Sequence, residues 1–332
     1  MKPTKVHWET LERLRETFLA AKPNAPDYWK RMEDLRDYDR TFGLRIAWKW
    51  DAVLNELKRL RWEPPGGDWL DWGCGSGIAT RRALGAFGCE GVREVGLFDR
   101  SSRAVRFSGD EARKAFPRVT FRELRANALP PRKPVGLLLI SHVLNELDEE
   151  RRATLVRLVR RAKSVIWVEP GSKIEARALS GVRDELLNEF NAVAPCTHSG
   201  PCGMLTRGNE RHWCHFFARP PEGVRADAEW QEFSRRLGID LRSAPFSYLV
   251  MENKRLKREP VSQRNETRVI GRPRVYKATL KVMGCNADEL EDREAQKRDV
   301  PDFYKSCKKE SQGTLYRFGL AAERIKTVEE LD

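Results

Sequence analysis

A glycine-rich turn is the first stretch of this sequence whose residues could do chemistry. Asp71, Gly73, Gly75 and Gly77 alternate with other residues in LDWGCGSG, after a short apolar run and before the helical pattern IATRRALGAF. Glycines let a backbone turn sharply and approach a ligand without a Cβ in the way. The N–H groups that begin the following helix can bind that ligand. The stretch therefore predicts a cofactor-binding turn between a strand and a helix.

Asp99 ends the next apolar run, VREVGLFD. A carboxylate at the end of the second strand can accept both hydroxyls of a ribose, so we expect an adenosyl group in the turn. A nicotinamide dinucleotide would also fit, and the structural alternative is a plain turn with Asp99 capping a helix. The GxGxG spacing after an acidic residue resembles motif I of class I S-adenosylmethionine-dependent methyltransferases, which favours that cofactor. Asn127, after the third predicted strand, is a candidate contact to the adenine.

Strand and helix patterns alternate from residue 68 to about residue 190, which predicts a mostly parallel sheet with helices on both faces. Ligands of such sheets bind beyond the carboxyl ends of the strands. His142 and Asn145 follow the fourth strand and Glu169 ends the fifth, so these are the candidate catalytic residues, with His142 as a base near neutral pH. Each is equally well explained as a structural, capping or turn residue. The sequence has no N/D-P-P-Y/F element to hold a target nitrogen, and so it does not define the acceptor atom.

Cysteine and histidine are concentrated in residues 191–216, which hold three of the seven cysteines and three of the five histidines. Cys196, Cys202 and Cys214 could bind a metal together with a fourth ligand. The candidates for that ligand are His198, His212, His215 and the distant Cys285. Zinc would accept a mixed set, whereas an iron–sulfur cluster prefers four thiolates. The spacing matches no CxxC zinc ribbon, and buried thiols without a metal are the alternative.

The composition predicts a polyanionic partner. The formal charge is +13, and the segment Lys254–Lys277 carries most of its charge as lysine and arginine. Clustered cations of this kind suit a phosphate backbone. The first 30 residues are charged and lack an apolar signal region, and no run approaches the roughly 20 apolar residues of a membrane span. We therefore expect a cytoplasmic monomer whose cysteines form no structural disulfides and which has no membrane partner.

Breaks in pattern and composition predict four regions. Residues 1–63 are expected to form an N-terminal helical region, and residues 64–190 the cofactor-binding domain. Residues 191–290 would form a cysteine-rich, basic β extension packed on the sheet, and residues 291–332 a charged C-terminal tail.

Four short motifs occur together: SHVLNEL, VEPGS, APC-x-H-x-x-x-C and WCHF. Over roughly residues 35–315, this combination resembles the methyltransferase-like family of the mitochondrial and bacterial small ribosomal subunit. The resemblance implies a class I methyltransferase (Rossmann-like) α/β sheet, with an N-terminal helical region and a C-terminal metal-binding, β-containing extension. It also implies a [4Fe-4S] cluster held by Cys196, Cys202, Cys214 and Cys285. Thr197 and Gly203 depart from the family, which often has proline at these positions.

The function that the resemblance implies is methylation of small-subunit rRNA during ribosome assembly, with S-adenosylmethionine as the donor. One alternative is a non-catalytic assembly factor that uses the fold and the cluster as an RNA-binding scaffold. Another is a small-molecule methyltransferase with zinc bound by the cysteines of residues 191–216. The positive charge of the chain disfavours this alternative.

Overall fold

The computed structural model of the protein describes residues 6–20, 26–125, 134–258, 266–310 and 313–331. Asn127, the predicted adenine contact, lies outside these ranges. The chain forms two compact units, one of residues 1–169 and 218–245 and the other of residues 170–217 and 246–332. No helix in the described ranges is long and apolar enough to cross a membrane.

The secondary structure changes in character along the chain, from alternating strands and helices to consecutive strands. The helices are α1 (Trp8–Ala20), α2 (Met32–Tyr38), α3 (Leu44–Arg59), α4 (Ile78–Phe87), α5 (Ser102–Ala115), α6 (Glu149–Val159), α7 (Lys173–Leu186), α8 (Ala228–Leu237) and α9 (Pro301–Lys308). The strands are β1 (Gly67–Trp72), β2 (Val92–Phe98), β3 (Thr120–Glu123), β4 (Val135–Ser141), β5 (Ala162–Pro170), β6 (Phe190–Ala194), β7 (Phe216–Ala218), β8 (Ala244–Asn253), β9 (Thr267–Val275), β10 (Thr279–Cys285), β11 (Leu290–Gln296), β12 (Leu315–Ala321) and β13 (Arg324–Glu330).

A parallel sheet organises the first unit. Its strands lie in the order β3-β2-β1-β4-β5, and each neighbouring pair is parallel. The middle of β4, residues 137–140, has no solvent exposure. A parallel strand that is covered on both faces has a continuous apolar sequence instead of an alternating one, and VGLLLIS fits this description. The predicted mostly parallel, Rossmann-like sheet is therefore confirmed.

Aromatic packing joins the N-terminal helices. The ring of Phe18 in α1 lies edge-on to Tyr38 and Phe42, with centroid distances of 5.9 and 5.8 Å. A π-helical turn, Asp39–Gly43, connects α2 directly to α3. Trp50 of α3 is completely buried. The indole N–H of Trp50 also donates a hydrogen bond to the hydroxyl of Ser141 at 3.0 Å, which fixes α3 next to the end of β4.

In the second unit the pairing becomes antiparallel. β6 runs antiparallel to β8, with Phe190 opposite Asn253 and Ala192 opposite Met251. β7 also pairs with β8. The alternation of strand and helix has ended here, as the sequence indicated for residues beyond 190.

A closed barrel follows, with neighbouring strands in the order β10-β11-β13-β12-β9. The predicted β-containing extension is therefore present, although its metal-binding character is not shown. The described part of residues 291–332, expected from its charge to be a tail, supplies α9, β12, β13 and most of β11. Residues such as Ala295, Tyr316 and Ile325 fill the core of the barrel, and the charged residues of β11 other than Arg293 are exposed or half-buried. LEDREAQ therefore resembles a tail in composition while serving as a barrel strand.

Candidate cofactor site and cysteine cavity

The glycine turn lies between β1 and α4. Gly75 and Gly77 have φ angles of +50° and +80°, in the left-handed region that favours glycine. A Cβ on Gly77 would lie 2.3 Å from the Oγ of Ser108, so a larger residue would clash. A Cβ on Gly75 would meet no described atom within 4 Å. The turn therefore packs tightly at its end and presents open backbone at Gly75, where a ligand can approach.

Asp71 anchors this turn from inside. Its side chain is fully buried, and its Oδ2 accepts hydrogen bonds from the hydroxyl and the N–H of Thr80 at 2.7 and 3.3 Å. Burial raises the pKa of Asp71 to about 7, against the effect of these two hydrogen bonds. Among the described residues, the Oδ1 of Asp71 has no hydrogen-bond partner. One carboxyl oxygen thus fixes the start of α4, and the other is left for a group from outside the described chain.

Asp99 joins the turn to the end of β2. Its Oδ2 accepts a hydrogen bond from the N–H of Gly75 at 3.0 Å, and its Oδ1 accepts one from the N–H of Ser101 at 2.9 Å. Burial raises the pKa of Asp99, and the two N–H groups act in the opposite direction. The sequence-predicted residues Gly75 and Asp99 are therefore in direct contact, at the carboxyl ends of two adjacent parallel strands.

An N-terminal segment borders the same place. Asp27 accepts a hydrogen bond from the hydroxyl of Ser101 at 2.8 Å, and the hydroxyl of Tyr28 donates one to Glu146 at 3.1 Å. The guanidinium of Arg100 lies 5.0 Å from the centroid of the Tyr28 ring and also pairs with Glu146 at 3.2 Å. Residues before the sheet thus form one wall beside Asp99.

His142 lies directly after β4 with a φ of +55°. Its N–H donates to the carbonyl of Val168 at 2.8 Å. Its Nε2 is 2.9 Å from the Nζ of Lys49, and its Nδ1 is 3.3 Å from the hydroxyl of Ser141. Burial, then the nearby cations Lys49 and Arg45, lower the pKa of His142 well below its usual value. Burial also lowers the pKa of Lys49 to about 7. Near neutrality Lys49 is therefore partly uncharged and His142 is largely neutral, so the pair can accept a proton at this point.

Glu169 is fully buried at the end of β5. Its Oε1 accepts hydrogen bonds from the indole N–H of Trp167 at 2.6 Å and from the backbone N–H groups of Val143 and Leu144 at 3.1 and 3.2 Å. These bonds hold the backbone that follows His142. Asn145 lies half-buried in the short helical turn Leu144–Glu146. The geometry gives Glu169 a positioning role towards His142.

Sequence reasoning missed Lys49, Asp27 and Tyr28. Lys49 stands between Trp48 and Trp50 in a helix of strong apolar periodicity, and both tryptophans are buried. A lysine flanked by buried tryptophans was the available signal, although such a side chain usually extends its amine to solvent. Asp27 and Tyr28 have no comparable signal, because their partners are distant in the sequence.

A cavity in the second unit brings together four cysteines that come from two separated stretches of the chain. Cys196 follows β6, Cys202 and Cys214 lie in the loop before β7, and Cys285 ends β10. Other residues lining the cavity are Leu179, Ser180, Arg183, Pro195, Thr197, His198, Met204, Ser247, Tyr248, Leu249, Arg268 and Ile270. The four predicted ligands thus line one cavity.

Arg183 of α7 shapes this cavity. Its side chain is 2% exposed, and its Nε donates to the Sγ of Cys196 at 3.1 Å. The other guanidinium nitrogens donate to the carbonyls of Gly200 and His198, each at 2.8 Å. Asp184, which pairs with Arg183, accepts a hydrogen bond from the N–H of Cys202 at 3.0 Å. One buried cation therefore fixes the backbone of the whole 196–202 loop.

Burial dominates the ionisation of the thiols. It raises the pKa of Cys214 well above its usual value, and the neighbouring Cys196, Cys202 and Cys285 raise it further. Burial, followed by the neighbouring Cys196 and Cys202, raises the pKa of Cys285 to about 12. These influences indicate that the thiols are close enough to repel one another as thiolates. Nevertheless, no group of three or more His, Cys, Asp or Glu in the described ranges is arranged so that it could hold a metal ion. The structure therefore shows a shared cavity and no metal centre.

The three clustered histidines differ in their surroundings. His198 lines the cavity, and its Nδ1 accepts a hydrogen bond from the N–H of Gly200 at 3.1 Å. His215 stacks on Trp213 with a centroid distance of 4.8 Å, and its Nδ1 lies 3.0 Å from the carbonyl of Trp213. His212 contacts the side chain of Arg211 at 2.9 Å. Of the three histidines, His198 alone is among the residues that line the cavity.

A family model described as the mitochondrial small ribosomal subunit Rsm22 matches residues 44–317, most of the chain. A search of curated proteins finds no match. The matching description names a mitochondrial subunit, so the cytoplasmic location expected from the sequence stays a prediction, as does the monomeric state.

Solved structures of methyltransferases are similar to the chain. The magnesium protoporphyrin IX methyltransferase of Synechocystis PCC 6803 with bound S-adenosylmethionine has 12% identity and a TM-score of 0.38, over 76% of this chain and 99% of that one. The precorrin-6y C5,15-methyltransferase of Geobacter metallireducens has 15% identity and a TM-score of 0.36, over 60% and 85%. TrmK of M. capricolum with S-adenosylhomocysteine has 6% identity and a TM-score of 0.33, over 60% and 67%. With TM-scores this low, we draw no conclusion from these similarities.

Proposed function

Because the chain belongs to the Rsm22 family of the mitochondrial small ribosomal subunit, we propose that it binds S-adenosylmethionine and methylates RNA of the small ribosomal subunit during its assembly. The observation that carries this proposal is the contact between the Gly75 N–H and the Asp99 carboxylate at 3.0 Å. It places an open glycine backbone and an acidic side chain together at the carboxyl edge of a parallel sheet, where such sheets bind nucleotide-type ligands.

The residues around the turn fit this cofactor. The buried Oδ1 of Asp71 has no hydrogen-bond partner among the described residues and could accept a hydrogen bond from the methionine end of the cofactor. The carboxylate of Asp99 could accept hydrogen bonds from the ribose hydroxyls. The open space at Gly75 admits a ligand close to the backbone. When bound, S-adenosylmethionine supplies an electrophilic methyl group on its sulfonium sulfur.

The acceptor would need to lose a proton, and the pair of Lys49 and His142 can take it. Their nitrogens are 2.9 Å apart. Lys49 has a pKa of about 7, so a substantial fraction of its amine is uncharged near neutrality and can accept a proton at Nζ. Glu169 holds the backbone after His142 in position. The chain thus offers a base whose position is fixed by buried hydrogen bonds.

The four cysteines would hold a [4Fe-4S] cluster. Four thiols around one cavity are the donor set that such clusters use. Arg183 and Arg268 lie beside them and would offset part of the charge of four thiolates. Binding requires the thiols to lose their protons and to move together from the positions described here. Zinc is the alternative metal for the same residues.

A non-catalytic assembly factor is the second candidate. The observation that favours it is the engagement of the Asp99 carboxylate and of Glu169 in internal hydrogen bonds, which stabilise the fold whether or not a methyl group is transferred.

Incubation of the full chain with small-subunit assembly particles and radiolabelled S-adenosylmethionine tests the proposal. Label in the RNA that is lost in Asp99→Asn supports methyl transfer. If calorimetry shows binding of S-adenosylmethionine but no label enters RNA, protein or small molecules, the scaffold function is correct. Absence of cofactor binding by the folded protein would contradict both the cofactor site and the methyltransferase function.

A further inference from the structure

The barrel of the second unit has a specific connectivity. β9, β10 and β11 pair successively as antiparallel neighbours. β11 then pairs in parallel with β13, β13 pairs antiparallel with β12, and β12 returns to β9. α9 lies between β11 and β12 in the chain. A five-stranded Greek-key barrel of this kind is an OB-fold, which binds oligonucleotides on its second and third strands and on the loops after its first and fourth strands.

We propose that one end of this barrel binds a single-stranded segment of RNA. The proposal rests on the proposed function, because it names the place and the kind of RNA that the protein would recognise. The binding surface consists of the loop 276–278 between β9 and β10, the loop 322–323 between β12 and β13, and the adjoining ends of β10 and β11. We call it the barrel tip.

Strand register brings these parts together. Thr279 at the start of β10 is opposite Gln296 at the end of β11, and Ala295 is opposite Ile325 near the start of β13. Ala321 and Arg324 close the hairpin of β12 and β13. The two loops therefore emerge from the same end of the barrel.

The loop 276–278 is held in place before any ligand arrives. The hydroxyl of Tyr304 in α9 donates to the carbonyl of Tyr276 at 2.5 Å, and the N–H of Lys297 donates to the carbonyl of Ala278 at 2.9 Å. The N–H of Tyr276 donates to the carbonyl of Thr279 at 2.8 Å. A loop fixed in this way loses little conformational freedom on binding.

Apolar side chains are exposed at this end. Tyr276 is 52% exposed and Leu320 is 45% exposed, and they are two of the four large hydrophobic residues in the described ranges with this degree of exposure. Successive bases of single-stranded RNA stack on aromatic rings of this kind, whereas the paired bases of a duplex do not offer their faces. The exposed ring of Tyr276 therefore favours an unpaired strand.

Lysine and arginine side chains are frequent in the segments that form the barrel tip. Among the described residues, Lys277 and Lys297 form no ion pair with a carboxylate; the amine of Lys297 lies 5.4 Å from the centroid of the Tyr304 ring. Three acids lie here: Glu323, exposed in the loop 322–323, and Glu294 and Asp299, which are each shared by two cations. Glu294 pairs with Lys281 and Arg324, each at 3.6 Å. Asp299 pairs with Lys326 at 2.8 Å and Arg298 at 3.8 Å. Cations thus exceed carboxylates at the barrel tip, which suits a phosphate backbone.

At the other end, the β10–β11 face contacts the loop 195–215, which holds Cys196, Cys202 and Cys214. Met283 and Leu290 pack against the apolar cluster of Cys202, Met204 and Ile270. A Cβ on Gly203 would lie 2.9 Å from the Cβ of Leu290, so the loop and the strand are in close contact. Part of the strand face away from the barrel tip is therefore covered, and we expect a short site of about four nucleotides, the low end for such barrels.

The test measures binding of the full chain to a fluorescent single-stranded RNA of mixed sequence, with the corresponding RNA duplex as competitor. Tyr276→Ala should weaken binding about tenfold because a stacking ring is lost, whereas Tyr276→Phe should bind like the original protein. Lys277→Ala with Lys297→Ala should weaken binding and reduce its salt dependence. The matched control is Lys58→Ala with Lys114→Ala, two exposed lysines of the first unit, and it should leave binding unchanged.

Calorimetry with S-adenosylmethionine and the methyl-transfer assay are run on the same variants. The inference would be overturned if the Tyr276→Ala variant bound single-stranded RNA as tightly as the original protein. It would also be overturned if the original protein preferred the RNA duplex. Loss of association with ribosomal particles without loss of affinity for the oligonucleotide would identify a protein partner at the barrel tip and also overturn it. Failure of the proposed function gives a different result: methyl transfer or cofactor binding is absent. The difference in affinity for single-stranded RNA between the original protein and the barrel variants remains in that case.

Discussion

The Nζ of Lys49 lies 2.9 Å from the Nε2 of His142. Both side chains have lowered pKa values, chiefly because they are buried. The proximity of two cations would be unfavourable, and so at most one of the two nitrogens carries a charge near neutrality. The pair therefore behaves as a single proton-accepting unit at the end of β4.

Replacement of Lys49 by methionine should stabilise the protein near neutral pH. An unfolded lysine titrates near about 10.4, whereas the pKa of Lys49 in the folded protein is about 7. Between these values the unfolded chain binds more protons, so the free energy of unfolding rises with pH. We expect Lys49→Met to raise the free energy of unfolding by on the order of 1 kcal/mol at pH 7. This difference from the original protein should shrink towards pH 10. Chemical denaturation across this pH range measures it.

Lys58→Met is the matched control, because Lys58 is an exposed residue of the same helix. Its effect on stability should be small at every pH. A stability difference between Lys49→Met and the original protein that does not change with pH would contradict the lowered pKa of Lys49. Methyl transfer, where present, should decrease in Lys49→Met.

Asp99→Asn should weaken the binding of S-adenosylmethionine by about tenfold or more. Both oxygens of Asp99 accept backbone hydrogen bonds, from Gly75 and Ser101. The asparagine side chain has one acceptor oxygen and one NH₂ donor. One of the two backbone N–H groups would therefore face another donor instead of an acceptor. Calorimetry measures the change in affinity. Asp68→Asn is the control, since Asp68 lies at the opposite end of β1 and pairs with Arg93. Equal affinity in the two variants would exclude Asp99 from the site.

Gly77→Ala should destabilise the first unit by about 2 kcal/mol or more. The residue has a φ of +80°, and an added Cβ would lie 2.3 Å from the Oγ and 3.2 Å from the Cα of Ser108. Gly85→Ala is the control in the same helix, because its Cβ would meet no described atom within 4 Å. That change should stabilise by about 0.5–1 kcal/mol. Thermal unfolding distinguishes them, and similar effects of the two variants would disprove the tight packing at Gly77.

Cys214→Ser should abolish bound iron and visible colour in protein purified without oxygen. It should also lower the unfolding temperature, because metal binding contributes to folding stability. Cys307→Ser is the control, since Cys307 is buried in the core of the barrel away from the cavity. It should lose stability but retain metal. A colourless original protein with stoichiometric zinc would disprove the cluster, and metal retained in Cys214→Ser would exclude Cys214 as a ligand.

The parallel sheet and its glycine turn are predictable from the sequence because local chemistry determines both. β4 and the middle of β5 are apolar runs. The turn needs glycine at Gly77 because of its positive φ and its close contact with Ser108, and this requirement is visible in the sequence. The approach of Gly75 to Asp99 follows from the adjacency of β1 and β2.

Residues whose roles depend on distant partners could not be found in this way. Lys49 resembles any lysine on an amphipathic helix until the turn after β4 brings His142 to it. The barrel depends on the parallel pairing of β11 with β13, which joins segments separated by α9 and β12. The charged sequence of β11 led to the prediction of a solvent-exposed tail. Only Arg293 and Ala295 of that strand are buried, so its sequence carries little of the apolar pattern of a strand.

β10 begins beside the loop 276–278 and ends at Cys285 in the cysteine cavity. Its seven residues span about 20 Å, and ladder hydrogen bonds on both sides make it stiff. A change in the cavity that shifts this strand would alter the affinity at the barrel tip. Thermodynamic reciprocity then requires an oligonucleotide at the barrel tip to change the affinity of the cavity for its own ligand by the same factor. The two ends of a single strand would in this way report on each other's occupancy.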